Sequence, residues 1–215
     1  MKKEVAYQKL ADCGVAAVIR AQSDTQLMDI AKALIEGGVL GVEVTMSTPK
    51  AVSGIGKLVD ALGDKCVVGV GTILDVGTCA EAIHAGAEFV VSPIMDVKII
   101  ETTRRLGKIS MPGAYSPTEI FTAHSAGADI VKIYPGNMCG PGYVKDLLAP
   151  MPFLRLMPSG GVDVKNVGEW LKAGAVMVGA GSSLVTKDAM SKGDWGAIAA
   201  MARQFVEAVK AARAK

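Results

Sequence analysis

The segment PTEIFTAHSAGADIVKIYP, residues 117–135, contains one complete helix-to-strand unit. Its first part, Pro117–Ser125, has apolar residues at three- and four-residue spacing, which predicts an amphipathic helix. Gly127 then stands where a left-handed residue commonly ends a helix. The apolar run Ile130–Tyr134 predicts a strand that is buried on both faces, as the strands of parallel sheets are. The segment is therefore interpreted as a helix that leads directly into a buried parallel strand.

The same alternation extends along the whole chain. Eight apolar runs predict strands at Val15–Arg20, Leu40–Thr45, Cys66–Gly71, Phe89–Pro93, Lys108–Pro112, Ile130–Tyr134, Phe153–Pro158 and Val176–Gly179. Helical patterns between them include Thr25–Glu36, Asp75–His84, Val97–Leu106, Pro117–Ser125 and Val164–Lys172. This order favours an α/β fold, a (β/α)8 TIM barrel formed by residues 1–215 as a single domain. An open doubly wound sheet is the alternative.

A glycine pattern recurs before every second predicted strand and favours the closed barrel. It occurs as Glu36-Gly37-Gly38-Val39, His84-Ala85-Gly86-Ala87, Ser125-Ala126-Gly127-Ala128 and Lys172-Ala173-Gly174-Ala175. Helix termination explains these glycines without any catalytic role. Near the C-terminus, a stripe of apolar residues from Trp195 to Val209 predicts a last helix that completes the outer ring.

Composition excludes several classes of function. The 215 residues are 50% hydrophobic and 5% aromatic, with a formal net charge of +2. No basic stripe with interleaved aromatic residues predicts nucleic-acid binding, and no apolar run is long enough to predict a membrane span. The four cysteines form no CxxC pair, and Met1–Gly14 has no apolar signal-peptide core. We therefore expect a cytoplasmic protein with reduced thiols.

Lys132 interrupts the apolar run Ile130–Tyr134. Burial disfavours the charged form of an amine, and a neutral amine is the nucleophile that Schiff-base chemistry with a carbonyl substrate requires. The alternative is a lysine at the end of a strand whose amine reaches solvent. Because catalytic groups of barrels collect at the C-terminal ends of strands, the other strand ends are needed to decide between these readings.

Glu43 lies between Val42 and Val44 in a predicted strand. A buried carboxyl group there would have a raised pKa, which suits a general acid/base near neutral pH. The alternative is an ion pair with Arg20 at the end of the first strand. Arg20 itself is a candidate for binding a carboxylate through its planar guanidinium group, or else a solvated arginine.

Two glycine-rich loops follow the seventh and eighth predicted strands, where barrels commonly bind phosphate. They contain Ser159-Gly160-Gly161 and Gly181-Ser182. Their backbone N–H groups and serine hydroxyls are suited to an anion, although tight turns without a ligand explain the glycines too. Thr72 is a candidate hydrogen-bond donor to substrate or a helix N-cap. His84 and His124 have no partner at ligand spacing, so neither a metal nor a cofactor is predicted.

The chain closely resembles the bacterial KHG/KDPG (2-keto-3-deoxy-6-phosphogluconate) aldolase family from Val15 to Leu184. The resemblance rests on eight motifs in order: Val18-Ile19-Arg20, Gly41-Val42-Glu43-Val44-Thr45, Val70-Gly71-Thr72, Val90-Val91-Ser92-Pro93, Met111-Pro112-Gly113, Val131-Lys132-Ile133-Tyr134-Pro135, Pro158-Ser159-Gly160-Gly161-Val162 and Gly179-Ala180-Gly181-Ser182. It implies a homotrimeric class I lyase that splits a 2-keto-3-deoxy-6-phospho-sugar acid into pyruvate and glyceraldehyde 3-phosphate.

The resemblance also implies a role for each matching residue. Lys132 would be the Schiff-base lysine and Glu43 the general acid/base. The end of the site that holds pyruvate would be formed by Arg20, Thr72, Pro93 and Tyr134, and the phosphate end by Ser159, Gly160, Gly161, Gly181 and Ser182.

Departures from the family pattern concern the substrate more than the reaction. Ser47 stands where some members have arginine, and Tyr134 where phenylalanine is usual. Ser159 replaces a threonine, and Tyr115–Pro117 and Gly140–Gly142 are expected to be loop variations. Open alternatives are an aldolase for 4-hydroxy-2-oxoglutarate or for the galactonate epimer, a phosphate-binding isomerase or epimerase, and a non-catalytic barrel.

Overall fold

The computed structural model describes residues 1–214, except for the side chain of Asp24. Lys215, the last residue of the predicted domain, lies outside the described residues. All strand pairs are parallel. The strands are β1 Val15–Ile19, β2 Gly41–Thr45, β3 Val67–Gly71, β4 Phe89–Val91, β5 Ile109–Met111, β6 Gly113–Ala114, β7 Val131–Ile133, β8 Leu156–Pro158 and β9 Val178–Ala180. Each of the eight predicted runs overlaps one of these strands.

Two connections close the strands into a ring. The strands form a six-stranded sheet, β5-β4-β3-β2-β1-β9, and a three-stranded sheet, β6-β7-β8. β5 and β6 are parts of one segment interrupted at Pro112, which has no N–H to donate; β5 pairs with β4 and β6 with β7. On the other side, Ser159 and Gly179 form a parallel bridge. The predicted (β/α)8 barrel is confirmed, and the open sheet is wrong.

Helices occupy most of the chain between the strands. They are α1 Lys3–Cys13, α2 Asp24–Glu36, α3 Ala51–Leu62, α4 Val76–His84, α5 Val97–Arg105, α6 Pro117–Ser125, α7 Pro141–Leu148, α8 Val167–Lys172, α9 Lys187–Lys192 and α10 Trp195–Arg213, with a 3₁₀ turn at Gly136–Met138. None of the helices within residues 1–214 is both long and apolar enough to span a membrane.

The helix predictions need two corrections. Gly140–Gly142 is not simply a loop, because Pro141 is the first residue of α7, a position where proline's missing N–H costs nothing. The eighth helix begins at Val167, later than the predicted Val164, because the Asp163 carboxylate accepts hydrogen bonds from the amides of Lys165 and Asn166 and holds them in a turn.

The recurring glycines end helices as predicted. Gly38, Gly86, Gly127 and Gly174 all have positive φ, between 89° and 107°. After α6, for example, the Gly127 amide donates to His124 O and the Ala128 amide to Ala123 O. This left-handed turn satisfies the last carbonyl groups and directs the chain into the next strand.

One apolar layer lies between the strands and the helices and a second lies inside the barrel, and the C-terminal mouth of the barrel stays open. The outward strand residues, such as Val42, Val131 and Ile133, pack against the helices. The interior layer includes Phe89 and Met157. The α1 side chains Ala6 and Leu10 belong to this interior cluster and close the N-terminal end of the barrel.

Candidate active site

A cavity of about 610 Å³ lies at the C-terminal ends of the strands. All eleven predicted site residues line it: Arg20, Glu43, Thr72, Pro93, Lys132, Tyr134, Ser159, Gly160, Gly161, Gly181 and Ser182. These residues come from seven strands or the loops after them, so barrel closure brings them to one place. Their individual roles stay predictions.

Lys132 points into the cavity because of strand alternation. Its neighbours Val131 and Ile133 belong to the outer core cluster, so the middle residue of β7 faces the barrel interior. The residue is only 6% exposed, and its amide donates to Pro112 O at 2.8 Å. Its Nζ lies 5.1 Å from the ring centroid of Tyr134, the next residue of the chain on this face. Lys132 therefore presents its amine to the cavity and does not extend into bulk solvent.

Glu43 is 1% exposed, and its Oε2 has no hydrogen-bond partner among the described residues. Burial raises the pKa of the Glu43 carboxyl group, while the positive charges of Lys132 and Arg20 lower it to a smaller extent. No ion pair joins Glu43 and Arg20 in the described part of the chain, so the alternative interpretation, in which Glu43 serves as the ion-pair partner of Arg20, is wrong. Gly71 on β3 makes room for the carboxylate, since a Cβ there would lie 2.6 Å from Glu43 Cδ.

Arg20 lines the cavity next to the loop that follows β9. A Cβ on Gly181 would lie 3.5 Å from Arg20 Nη1, so the guanidinium group borders the loop after β9. Arg20 also lines a second cavity of about 510 Å³, which shares Val18 and Ser182 with the first and contains Lys187. A cation is therefore available beside a loop in which the sequence alone places none.

Thr72 has a left-handed backbone, with φ 63°. Such a conformation is uncommon for a β-branched residue. The N-cap of α4 is Asp75, whose carboxylate accepts from the Thr78 amide at 2.8 Å. The N-cap interpretation of Thr72 is therefore wrong, and its side chain remains available to the cavity that it lines.

The loop after β8 is held from both sides. Gly160 and Gly161 have φ 97° and 73°. The Gly136 amide donates to Ser159 O at 2.8 Å, and Asn166 Nδ2 donates to Gly161 O at 2.8 Å. With two left-handed glycines and fixed flanking carbonyls, the loop keeps an open backbone surface facing the cavity.

The geometry agrees with comparisons to known proteins. The family model for KDPG and KHG aldolase matches residues 7–201. The chain belongs to the KDPG and KHG aldolase family. It is 32% identical to the 2-dehydro-3-deoxy-6-phosphogalactonate aldolase of Escherichia coli K12 over 169 residues, 78% of this chain and 82% of the relative.

Solved structures support the same family. A native KDPGal structure has a TM-score of 0.88 and 30% identity, covering 94% of this chain and 96% of the other. A Legionella pneumophila KDPG aldolase with pyruvate captured as a covalent carbinolamine has a TM-score of 0.85 and 26% identity, covering 91% and 95%. The relationship thus extends through nearly the whole barrel of this family member.

Other cavity residues were not among the predicted site residues. Ser47 lines the cavity, and its Oγ lies 2.7 Å from Thr45 Oγ1, which donates to Ile19 O. Ser183 Oγ donates to Val162 O at 2.6 Å and so connects the loops after β8 and β9. Both serines follow strand ends by two to three residues, which is the signal that sequence reasoning could have used.

No group of three or more histidine, cysteine, aspartate or glutamate side chains within the described residues could hold a metal ion. His84 is exposed at the end of α4. His124 packs on Phe153, with ring centroids 4.9 Å apart. Neither histidine lines the cavity of this aldolase-family barrel.

Proposed function

We propose that the protein is a class I aldolase that cleaves a 2-keto-3-deoxy-6-phospho-sugar acid into pyruvate and glyceraldehyde 3-phosphate. The observation that carries this proposal is that the buried amine of Lys132 and the buried carboxyl group of Glu43 face the same cavity. A nucleophilic amine and a nearby proton carrier are the two groups that Schiff-base cleavage of a carbon–carbon bond requires.

The reaction begins at Lys132. Its neutral amine adds to the C2 carbonyl, and the resulting carbinolamine takes up a proton on its hydroxyl group and loses water to form an iminium ion; the final hydrolysis returns that proton. Glu43, as carboxylate, accepts the proton of the C4 hydroxyl directly or through water. The C3–C4 bond breaks, its electron pair moves toward the iminium nitrogen to form an enamine, and the aldehyde leaves. Protonation of the enamine at C3 and hydrolysis of the iminium release pyruvate and restore the amine.

The cavity has room for both ends of such a substrate. Arg20, Thr72, Pro93 and Tyr134 are proposed to hold the pyruvate end, and the backbone of Gly160, Gly161 and Gly181 with Ser159 and Ser182 the phosphate. Exposed backbone N–H groups next to left-handed glycines favour an anion. Because Arg20 borders Gly181, it can add charge to an otherwise neutral phosphate site.

Cleavage assays on a substrate panel test this function. The gluconate and galactonate epimers of the phosphorylated substrate, their unphosphorylated forms and 4-hydroxy-2-oxoglutarate are each incubated with enzyme, and released pyruvate is measured. We expect the phosphorylated acids to be cleaved with the highest kcat/KM. The similarity to relatives that are named for the galactonate epimer keeps that epimer as the second candidate. Isomerisation without pyruvate release would contradict the aldolase proposal and favour the isomerase alternative.

We also propose a single-domain, cytoplasmic homotrimer. The cysteine thiols are free within the described chain, as is usual in a reducing compartment.

Phe121 on α6 and Phe153 are each about half exposed, and Phe153 packs against His124, one turn from Phe121. Such an apolar patch is suited to contact between copies. Light scattering should give three times the chain mass, and Phe121→Lys should lower it.

A further inference from the structure

Tyr134 places an aromatic face next to the reactive nitrogen. Lys132 Nζ lies over the ring, 5.1 Å from its centroid, within the range of a cation–π interaction. Both residues line the cavity. Lys132 is the middle residue of β7 and Tyr134 directly follows the strand, and this separation of two residues puts them on one face. The ring face is therefore positioned to attract a positive charge on Lys132 Nζ.

Few other groups in the cavity can compensate a positive charge there. The charged side chains that line it are Arg20 from β1, Glu43 from β2, Asp163 after β8 and Lys132 itself. Arg20 repels a cation. Glu43 gains and loses a proton during the proposed reaction, so its charge is not constant, and the Asp163 carboxylate already accepts hydrogen bonds from two backbone amides. The negative face of the Tyr134 ring is thus a fixed source of favourable electrostatics that needs no deprotonation.

We propose that the ring face of Tyr134 stabilises positive charge on Lys132 Nζ and keeps the imine with a keto acid in its protonated, electrophilic form. This inference rests on the Schiff-base function proposed above. The phenol hydroxyl has no part in it, so a phenylalanine should serve equally well. The iminium ion, which is the protonated imine, accepts the electron pair of the breaking carbon–carbon bond far more readily than the neutral imine.

The stabilisation has a characteristic pH dependence. A ring face that stabilises the protonated imine keeps that form present to higher pH. Cyanoborohydride reduces the protonated imine and not the neutral one, so at saturating pyruvate the trapping rate follows the protonated fraction. Removing the ring should shift the fall of this rate to lower pH, whereas lost packing alone would raise the pyruvate concentration needed for saturation without shifting the pH profile.

The experiment measures the rate of trapping by cyanoborohydride at saturating pyruvate, from acidic to alkaline pH. The variants are Tyr134→Leu and Tyr134→Met, which remove the ring, and Tyr134→Phe, which keeps it. Tyr115→Leu is the matched control, because Tyr115 is equally exposed, at 40%, and does not line the cavity. Thermal unfolding checks that each variant is folded.

We expect the pH at which the trapping rate has fallen by half to be about 0.7 unit lower in both ring-free variants, which is about a five-fold change in proton concentration. Tyr134→Phe should keep the wild-type midpoint whatever its pyruvate affinity, and so should Tyr115→Leu. An unshifted midpoint in the ring-free variants, or a shift in Tyr134→Phe equal to theirs, would overturn the proposal. A wild-type enzyme that pyruvate and borohydride never modify would instead contradict the Schiff base itself, and with it the role of the ring.

Discussion

Gly71→Ala should slow the enzyme by roughly 10²-fold without unfolding it. Gly71 is in β3, where it pairs with Thr45 and lies against the Glu43 side chain. Its φ is not in the left-handed range, so an alanine is compatible with its backbone. The added Cβ would lie 2.7 Å from Glu43 Cγ and 2.6 Å from Cδ. Since ordinary contacts begin near 3.4 Å, the carboxyl carbon must move by about 0.8 Å, and Oε1, which is nearer still to the added Cβ, must move further. Displacements near 1 Å cost roughly 10² in rate when a catalytic group is misplaced.

The assay compares kcat for cleavage with the free energy of unfolding. Gly69→Ala on the same strand is the control, because the atoms nearest its Cβ would be those of the buried Phe89 ring, at 2.5 Å. Overpacking there should cost about 1–3 kcal/mol of stability, with a smaller loss of kcat than in Gly71→Ala. A Gly71→Ala enzyme with wild-type kcat would refute the reasoning that the position of Glu43 limits the reaction.

Three further outcomes are expected. Glu43→Gln should slow cleavage by roughly 10²–10⁴-fold. Burial raises the pKa of Glu43, and the base must be ionised, so wild-type kcat/KM should already decrease on acidification at a pH above 4.5, the ordinary pKa of glutamate. A decrease that begins only below pH 4.5 would contradict this. Activity should persist in EDTA, and loss that a divalent ion restores would contradict the class I chemistry. Gly181→Val should raise KM for phosphorylated substrate only; an equal rise for an unphosphorylated analogue would show that the phosphate lies elsewhere. Gly161 is a poorer probe, since its φ is 73° and a Cβ there would meet Asn137 at 2.7 Å.

Local patterns were sufficient to predict most of the barrel. Apolar runs indicate the strands. Lys132 and Glu43 indicate the site, because burying a charged side chain within such a run costs free energy and is rare without a functional or pairing role. Features that depend on distant residues were not predicted. The helix α1 has only two buried residues, Ala6 and Leu10, and its place is set by the barrel interior that it closes.

Closure of the ring explains the remaining differences. Arg20 comes next to Gly181 only because β9 pairs with β1. The role of Gly71 depends on the register between β2 and β3, which no local pattern contains. Thr72 resembled a helix cap because its left-handed backbone conformation cannot be read from its residue type.

The central claim is that Lys132 forms a covalent imine with pyruvate. The most direct test incubates wild type and Lys132→Ala with pyruvate and borohydride, followed by mass spectrometry of the whole chain and of its peptides. We predict one stable adduct per wild-type chain, located on Lys132, and none in Lys132→Ala. An adduct on another lysine, or trapping and cleavage that persist unchanged in Lys132→Ala, would contradict the account.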